Sequence, residues 1–291
     1  MISTKLNLQD ILPLTCSRAG TCCHGNQVFL NPWELYCLAR EKKISPREFR
    51  DFYCDFDGIR LKFDGKADLR GKKACSQYLD NFGCSVHIGR PLACRLFPLG
   101  RQIQSENVNY IFQGTTFPCL DGCPEVIKLT ELTVEAYLKG QETESFETAQ
   151  DAYLEIMQNM ADIAFELLLD TELAASGEKE TLKLWRKMGI ESPKELVDRI
   201  GSEWLDLLMI PAFFSESEVL ENPLIFAEKH NELLQEKAQE KFGNLKTLED
   251  LKQASVLVMA LALFLAKAIG ANPTSLAVHW VETAKSFGAK E

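Results

Sequence analysis

No cysteine occurs in the last 168 residues of this 291-residue chain, although the first 123 residues contain ten. Cysteines that only fill space in a hydrophobic core should occur in both halves. Their absence from the second half therefore indicates that the thiols of the first half act together. In chain order they are Cys16, Cys22, Cys23, Cys37, Cys54, Cys75, Cys84, Cys94, Cys119 and Cys123.

Several familiar catalytic motifs are also missing. The chain has no Walker loop, no GxGxxG fingerprint and no HExxH pair, so the usual nucleotide-binding and zinc-protease classes are not supported. The acidic stretch 51–58 lacks the glutamate that a calcium loop places after it. A Cys–His nucleophile could be assembled from Cys23 or Cys94 with His24 or His87, but nothing selects one thiol among ten.

Long apolar runs are scarce. Residues 1–15 contain one lysine and no stretch that would serve as the core of a secretory signal, so we expect a cytoplasmic protein. The longest apolar run, 254–266, has 13 residues, whereas a membrane span needs about 20. We therefore expect a buried core helix and no membrane partner. Because cytosolic thiols stay reduced, the cysteines indicate metal binding or redox chemistry rather than disulfides.

The net charge of −10 is unevenly distributed. Residues 1–123 contain 16 Lys and Arg against 12 Asp and Glu, while residues 124–291 contain 16 against 30. A divalent metal held by four cysteinates has a net charge of about −2, which the excess cations of the first part would offset. The alternative is a basic surface for another anion. We do not expect nucleic acid as a partner, since no Arg/Lys run with interleaved aromatics occurs.

The local patterns predict an α+β fold. In the first part we expect short helices at 32–42 and 46–54, each started by a capping residue and a proline, and strands at 27–30, 58–63 and 108–113. From about residue 130 the apolar spacing becomes helical. The predicted helices cover 133–175 as one helix or a broken pair, then 179–188, 193–210, 216–242, 248–269 and 273–287. We thus predict a small cysteine-rich α+β metal-binding domain at 1–129 and a bundle-like helical domain at 130–291.

Three segments resemble the YkgJ-type cysteine-cluster family, which is described as a zinc- or iron-chelating domain. They are Cys16-x5-Cys22-Cys23-His24-Gly25, the stretch Val28 to Glu34, and above all the motif Cys84-x5-Arg90-Pro91-x2-Cys94-Arg95-x-Phe97-Pro98. The resemblance covers roughly residues 14–124. It extends distantly to the cysteine-rich part of flagellin lysine-N-methylases.

The resemblance implies a ligand set. Carried over position by position, the candidate metal ligands are Cys16, Cys22, Cys23, Cys75, Cys84, Cys94, Cys119 and Cys123. Cys37 and Cys54 fall outside the pattern and are interpreted as packed thiols. Many members read C-x2-C-x2-CC, and Ala19 stands where this pattern has its second cysteine. One ligand is then missing or comes from elsewhere.

Four further side chains accompany the cysteines. His24 could complete a mixed site, whereas His87, where the family often has tyrosine, indicates packing. Arg90 and Arg95 flank Cys94, where they would either lower thiol pKa values or form ordinary salt bridges.

Three functions follow as hypotheses. The first is a protein that binds zinc or iron, with an iron–sulfur cluster as one form of the iron. The second is an iron–sulfur-dependent protein-modifying enzyme like the methylases, which implies a protein substrate or partner. The third is a sensor whose thiols oxidise reversibly. The cysteine count does not decide between one metal site and two.

Overall fold

The computed structural model describes residues 4–12, 20–104, 107–112, 129–169, 179–212 and 221–290. The chain divides into two compact units. The first comprises Met1–Val28, Glu34–Asp55 and Arg60–Glu147, and the second comprises Phe29–Trp33, Phe56–Ile59 and Thr148–Glu291. Residues 130–147 belong to the first unit in this division. The domains 1–129 and 130–291 remain a prediction.

The first part of the chain carries short elements. In order they are β1 (Thr4–Leu6), α1 (Pro32–Lys42), α2 (Pro46–Tyr53), β2 (Cys54–Asp55), β3 (Arg60–Leu61), β4 (Tyr78–Leu79), β5 (Gly83–Cys84), α3 (Leu92–Leu96), β6 (Leu99–Gln104), β7 (Asn107–Phe112) and α4 (Val134–Gln141). β1, β7 and β6 form an antiparallel sheet in that order, while β2 pairs with β3 and β4 with β5. Small sheets among short helices give the α+β class that the sequence predicts.

The starts of α1 and α2 agree with their sequence signals. Ser45 accepts a hydrogen bond from the Glu48 N–H, and the Glu48 carboxylate accepts one from the Ser45 N–H, so a capping box opens α2. The strand expected at 27–30 is wrong. Within that stretch the Val28 carbonyl accepts from the Leu61 N–H and the Leu30 N–H donates to the Ile59 carbonyl, and these two bonds make only Phe29 a bridge residue and form no strand.

The second part of the chain is helical. Its elements are α5 (Glu144–Leu169), α6 (Lys179–Met188), α7 (Pro193–Ile200), α8 (Ser202–Met209), α9 (Pro223–Phe242), α10 (Leu248–Ala268) and α11 (Pro273–Ser286). The helix predicted over 133–175 is a broken pair, α4 and α5. The helix predicted over 193–210 is also two helices, because Gly201 adopts a φ of 82° between them.

α10 lies in the core of the second unit and packs against α6, α7 and α11. By length and composition it is apolar enough to cross a membrane, but 72% of its most apolar window is buried inside the protein. Its side chains from Val258 to Ala266 are all at most 2% exposed. This burial is what a central core helix shows.

Candidate metal centre

The paired cysteines Cys22 and Cys23 lie on a tight turn between two glycines. Thr21–Cys23 form a single 3₁₀ turn, closed by a 2.9 Å hydrogen bond from the Cys23 N–H to the Gly20 carbonyl. Gly20 and Gly25 have φ values of 77° and 69°, which side chains with a Cβ adopt at a cost. A Cβ on Gly20 would also lie 2.6 Å from the Tyr78 ring. The glycines thus permit the sharp turn that adjacent cysteines need to face one space.

Cys75 is held directly against this turn. Its N–H donates to the Cys23 carbonyl at 2.7 Å, and the Gly25 N–H donates to the Lys73 carbonyl at 2.9 Å. His24 and Ala74 form an isolated antiparallel bridge between these bonds. Cys75 is 52 residues from Cys23 along the chain. The backbone pairing, and not sequence spacing, brings them together.

Cys84 and Cys94 come from a hairpin and a short helix. β4 and β5 pair Tyr78 with Cys84, so the second strand of the hairpin carries the thiol. Cys94 lies on α3, whose first N–H, that of Leu92, donates to the buried carboxylate of Glu34 at 2.7 Å. A carboxylate stabilises the start of a helix, because it accepts from an N–H that has no partner within the helix.

Cys22, Cys23, Cys75, Cys84 and Cys94 line one cavity of about 270 Å³ in the first unit. Cys94 lines this cavity with an exposed surface, while the protein around it still desolvates the thiol. The cavity lining also includes apolar side chains, among them Leu38, Phe63 and Phe97. Among the residues that the structure describes, no three His, Cys, Asp or Glu side chains already converge closely enough to hold an ion. The fold gathers the thiols, and a bound metal would draw them together.

Two of the thiols accept hydrogen bonds from the backbone two residues ahead. The Gln77 N–H donates to Cys75, and the Val86 N–H donates to Cys84. Such N–H donors favour a thiolate over a thiol and are one of the means by which proteins tune metal–sulfur centres. Their presence fits a metal-bound thiolate at each position.

Burial keeps these thiols protonated when no metal is bound. It raises the pKa of Cys75 to about 11, raises the pKa of Cys84, and raises the pKa of Cys94 well above its ordinary value. For Cys94 the nearby Cys75, Cys22 and Cys84 act in the same direction, because thiolates repel one another. A metal cation would replace the protons and remove this repulsion.

The two arginines of the motif have different surroundings. Arg90 lines the cavity, and its positive charge lowers the pKa of Cys84 against the effect of burial. Arg95 does not line the cavity, and its guanidinium donates to backbone carbonyls. The salt-bridge alternative also holds in part, since Arg95 lies 3.7 Å from a carboxylate oxygen of the exposed Glu142.

The histidines differ from expectation in their placement. The Nδ1 atom of His24 lies 3.2 Å from the Gly20 carbonyl, and its ring contacts Tyr78 edge-on. The His24 side chain therefore supports the turn that carries Cys22 and Cys23. His24 is not among the residues that line the cavity, whereas His87 is. The Nδ1 atom of His87 lies 3.1 Å from Arg90. His87 therefore helps to hold the arginine that faces the thiols.

The remaining cysteines fall into two groups. Cys37 and Cys54 are 2% and 6% exposed and do not line the cavity, and burial raises the pKa of Cys37 to about 12. Inert buried thiols have these properties. Cys16, Cys119 and Cys123, together with Ala19, lie outside the described residues. Their assignment as ligands remains a prediction.

Sequence reasoning missed the contribution of α4 to the cavity wall. Tyr137 and Gln141 both line the cavity, and Gln141 accepts a 2.8 Å hydrogen bond from Arg90 through its side-chain oxygen. The Tyr137 hydroxyl donates to the Phe97 carbonyl. Nothing in the helical periodicity of 134–141 distinguishes a helix of this wall from one of the bundle.

A close approach at Gly89 supports the segment between Cys84 and Cys94. A Cβ on Gly89 would lie 2.6 Å from the Cys37 carbonyl oxygen and 3.0 Å from the Glu41 Cβ. We expect Gly89→Ala to push the segment off α1 and to lower the free energy of unfolding by about 1–3 kcal/mol, as overpacking does. Urea unfolding of both proteins measures this difference in the free energy of unfolding. Gly100→Ala is the control, because its Cβ would make an ordinary 3.8 Å contact; equal losses in both variants would contradict the steric explanation.

The fold and the cavity define a small α+β domain in which cysteines from distant parts of the chain face one space. Residues 15–111 match the model of the CxxCxxCC family, described as "Putative zinc- or iron-chelating domain". This match confirms the predicted resemblance for the segment, while the similarity to the methylases remains a prediction. Cys119 and Cys123 lie beyond the matched residues. No curated protein and no solved structure matches the chain.

Proposed function

We propose that the first unit binds zinc or iron through Cys22, Cys23, Cys75, Cys84 and Cys94, with Cys16, Cys119 and Cys123 as further candidate ligands. The observation that carries this proposal is that five cysteines line one cavity. They arise from a glycine-bounded turn, the strand-like segment before β4, a hairpin and a helix. Cysteines that served only as small hydrophobic residues would not be expected to line a single cavity.

The chemistry of the site favours metal binding over redox sensing. Redox-sensor cysteines have low pKa values and open access. Here burial raises the pKa values of Cys75, Cys84 and Cys94, so without metal these thiols are poor nucleophiles. A metal ion reverses this situation, because it binds the thiolate and excludes the proton. We therefore rank the sensor below the metal site.

The metal is proposed as zinc, iron or an iron–sulfur cluster. Four thiolates satisfy one tetrahedral zinc ion or one cubane cluster, so the eight candidates are enough for two centres. The five that the structure describes exceed the need of one centre by a single thiol. A protein-modifying activity, with a protein substrate, would additionally need a donor-binding site, and we keep it as the second proposal without a supporting contact.

We also propose a cytoplasmic location. The thiols of Cys23, Cys75, Cys84 and Cys94 form no disulfide. Reduced thiols are the normal state in the cytosol, and metal sites built from them persist there.

The test is metal analysis of the full chain purified with and without oxygen. We expect close to one or two equivalents of metal. Zinc would give a colourless protein, whereas iron with sulfide and broad absorbance near 400 nm would indicate a cluster. Cys84→Ser and Cys94→Ser should each lose most of this metal, because each removes a thiol from the cavity. Cys37→Ala is the matched control, since Cys37 is a buried thiol of the same unit that does not line the cavity.

Two results would contradict the proposal. One is a protein that contains no metal after anaerobic purification and gains no stability on addition of zinc or iron. The other is equal metal loss in Cys37→Ala and Cys94→Ser, because the cavity would then not be the site.

A further inference from the structure

Arg95 is a buried cation with an unusual set of partners. Arg95 is only 2% exposed to solvent. The guanidinium Nε donates to the Arg90 carbonyl at 2.9 Å, one terminal nitrogen donates to the Ile88 carbonyl, and the other donates to the Gln141 carbonyl at 2.7 Å. The last nitrogen also lies 3.4 Å from the Glu142 carbonyl. The fork of the guanidinium therefore joins two separate pieces of backbone.

The first piece is the segment between two of the cavity thiols. Ile88 and Arg90 both lie between Cys84 and Cys94, and Arg95 follows Cys94 directly. Bonds from Arg95 back to their carbonyls close this segment onto the start of α3. With few regular hydrogen bonds of its own, such a loop would otherwise sample many conformations.

The second piece is the C-terminal end of α4. Gln141 is the last residue of that helix, and its cap residue Glu142 is left-handed with a φ of 53°. The final carbonyls of a helix lack partners within the helix and favour a cation. The guanidinium carbon of Arg95 lies over the Phe146 ring, 3.9 Å from the ring centroid. α4 in turn supplies Tyr137 and Gln141 to the cavity wall.

We infer that Arg95 is the positioning residue of the metal site: it fixes the Cys84–Cys94 segment to the end of α4 and thereby sets where two of the thiols lie. It does so without facing the cavity, a role that belongs to Arg90. This inference rests on the proposed metal-binding function. It also assigns α4, beyond the residues that match the family model, to the support of that site.

The test compares Arg95→Met and Arg95→Lys with the unaltered full-length protein. Methionine keeps much of the buried volume but donates no hydrogen bond, and lysine keeps the charge without the fork. Loss of groups that orient metal ligands typically weakens metal affinity by about 10–100-fold. We expect a loss of this size in Arg95→Met, and a smaller one in Arg95→Lys, measured by competition between the protein and a chelator for zinc.

The matched control is Arg101→Met. Arg101 belongs to the same unit and does not line the cavity, and its side chain is 5% exposed and lies 3.8 Å from Glu147 in a salt bridge. It should lose stability without losing zinc affinity. Equal affinity losses in Arg95→Met and Arg101→Met, or an Arg95→Met protein with the unaltered affinity, would overturn the inference.

A second readout separates this inference from the metal proposal. In metal-free protein, we expect Arg95→Met to let iodoacetamide alkylate Cys84 at least about tenfold faster, because opening of the segment exposes this half-buried thiol. The buried Cys54 is the internal reference. If the native protein binds no metal but the alkylation rates rise selectively, the positioning role stands and the metal proposal fails. Unchanged or uniformly raised rates would refute the positioning role.

Discussion

Saturating the cysteine site with zinc or iron is expected to raise the free energy of unfolding of the first unit by about 4 kcal/mol when free metal exceeds its dissociation constant a thousandfold. The reason is that the native cavity gathers thiols which the unfolded chain leaves apart, so binding energy becomes folding energy. A chelator should reverse the gain.

Hydrogen exchange of the full chain measures this effect residue by residue. Amides of β6 and β7 in the first unit should exchange more slowly after metal addition, whereas those of α10 in the second unit are the internal reference. Cys37→Ala should keep the protection by metal and Cys94→Ser should lose it. Unchanged exchange of β6 and β7 on addition of metal, with α10 as reference, would contradict the coupling of metal binding to folding.

Acidification is expected to destabilise the second unit through His230 by about 3 kcal/mol, which is the free energy of a pKa difference between about 6.5 unfolded and about 4 folded. His230 is fully buried, and burial lowers its pKa although the Leu207 carbonyl opposes the shift. Its Nε2 lies 3.1 Å from that carbonyl and its Nδ1 lies 2.8 Å from the Tyr153 hydroxyl. Since a carbonyl only accepts, the neutral ring donates from Nε2 and accepts the tyrosine proton at Nδ1.

The sign of the effect follows from the lowered pKa. Above pH 6.5 both states of the protein hold a neutral imidazole and the full stability is present. Between pH 6.5 and 4 the unfolded chain binds a proton that the folded protein refuses, so stability falls as the pH falls. Urea unfolding of metal-free protein, followed by fluorescence, reports this unit, because Trp33, Trp185, Trp204 and Trp280 all belong to it.

A histidine variant isolates the contribution of this side chain. His230→Gln should be less stable than the native protein at neutral pH. Its free energy of unfolding should lack the part of the acid-induced decline that His230 causes, so the two plots of this free energy against pH should converge in acid. His279→Gln, at an exposed position of α11, should retain the native decline. Parallel curves for the native protein and His230→Gln would rule out the explanation.

Local sequence signals were reliable where one residue decides the backbone. Ser45 and Ser192 each open a helix through a capping box, as their Ser-Pro-x-Glu patterns predict. The turn of Cys22 and Cys23 is also decided locally, since Gly20 and Gly25 adopt left-handed φ values. The helical periodicity across Gly201 predicts one continuous helix, because a single glycine is often tolerated within a helix. In the structure Gly201 instead ends one helix.

The role of Glu34 depends on a residue that is distant in sequence. From its position three residues after Asn31, the sequence predicts a role at the start of α1. In the structure its carboxylate accepts the Leu92 N–H and opens α3, the helix that carries Cys94. This partner lies 58 residues away, so no local pattern could reveal it.

The sequence alone determined the class of this protein, because chemistry that needs several thiols leaves its mark in composition and in a motif of fixed spacing. It also determined most helices, since apolar periodicity and capping residues act within a few positions. Only the tertiary structure decided which thiols share a cavity, that Arg90 faces them while Arg95 holds the backbone behind them, and that α4 forms part of the wall. The physical reason is that these relations depend on backbone hydrogen bonds and packing between segments about 40 to 60 residues apart, such as Cys23 with Cys75 and Arg95 with Gln141.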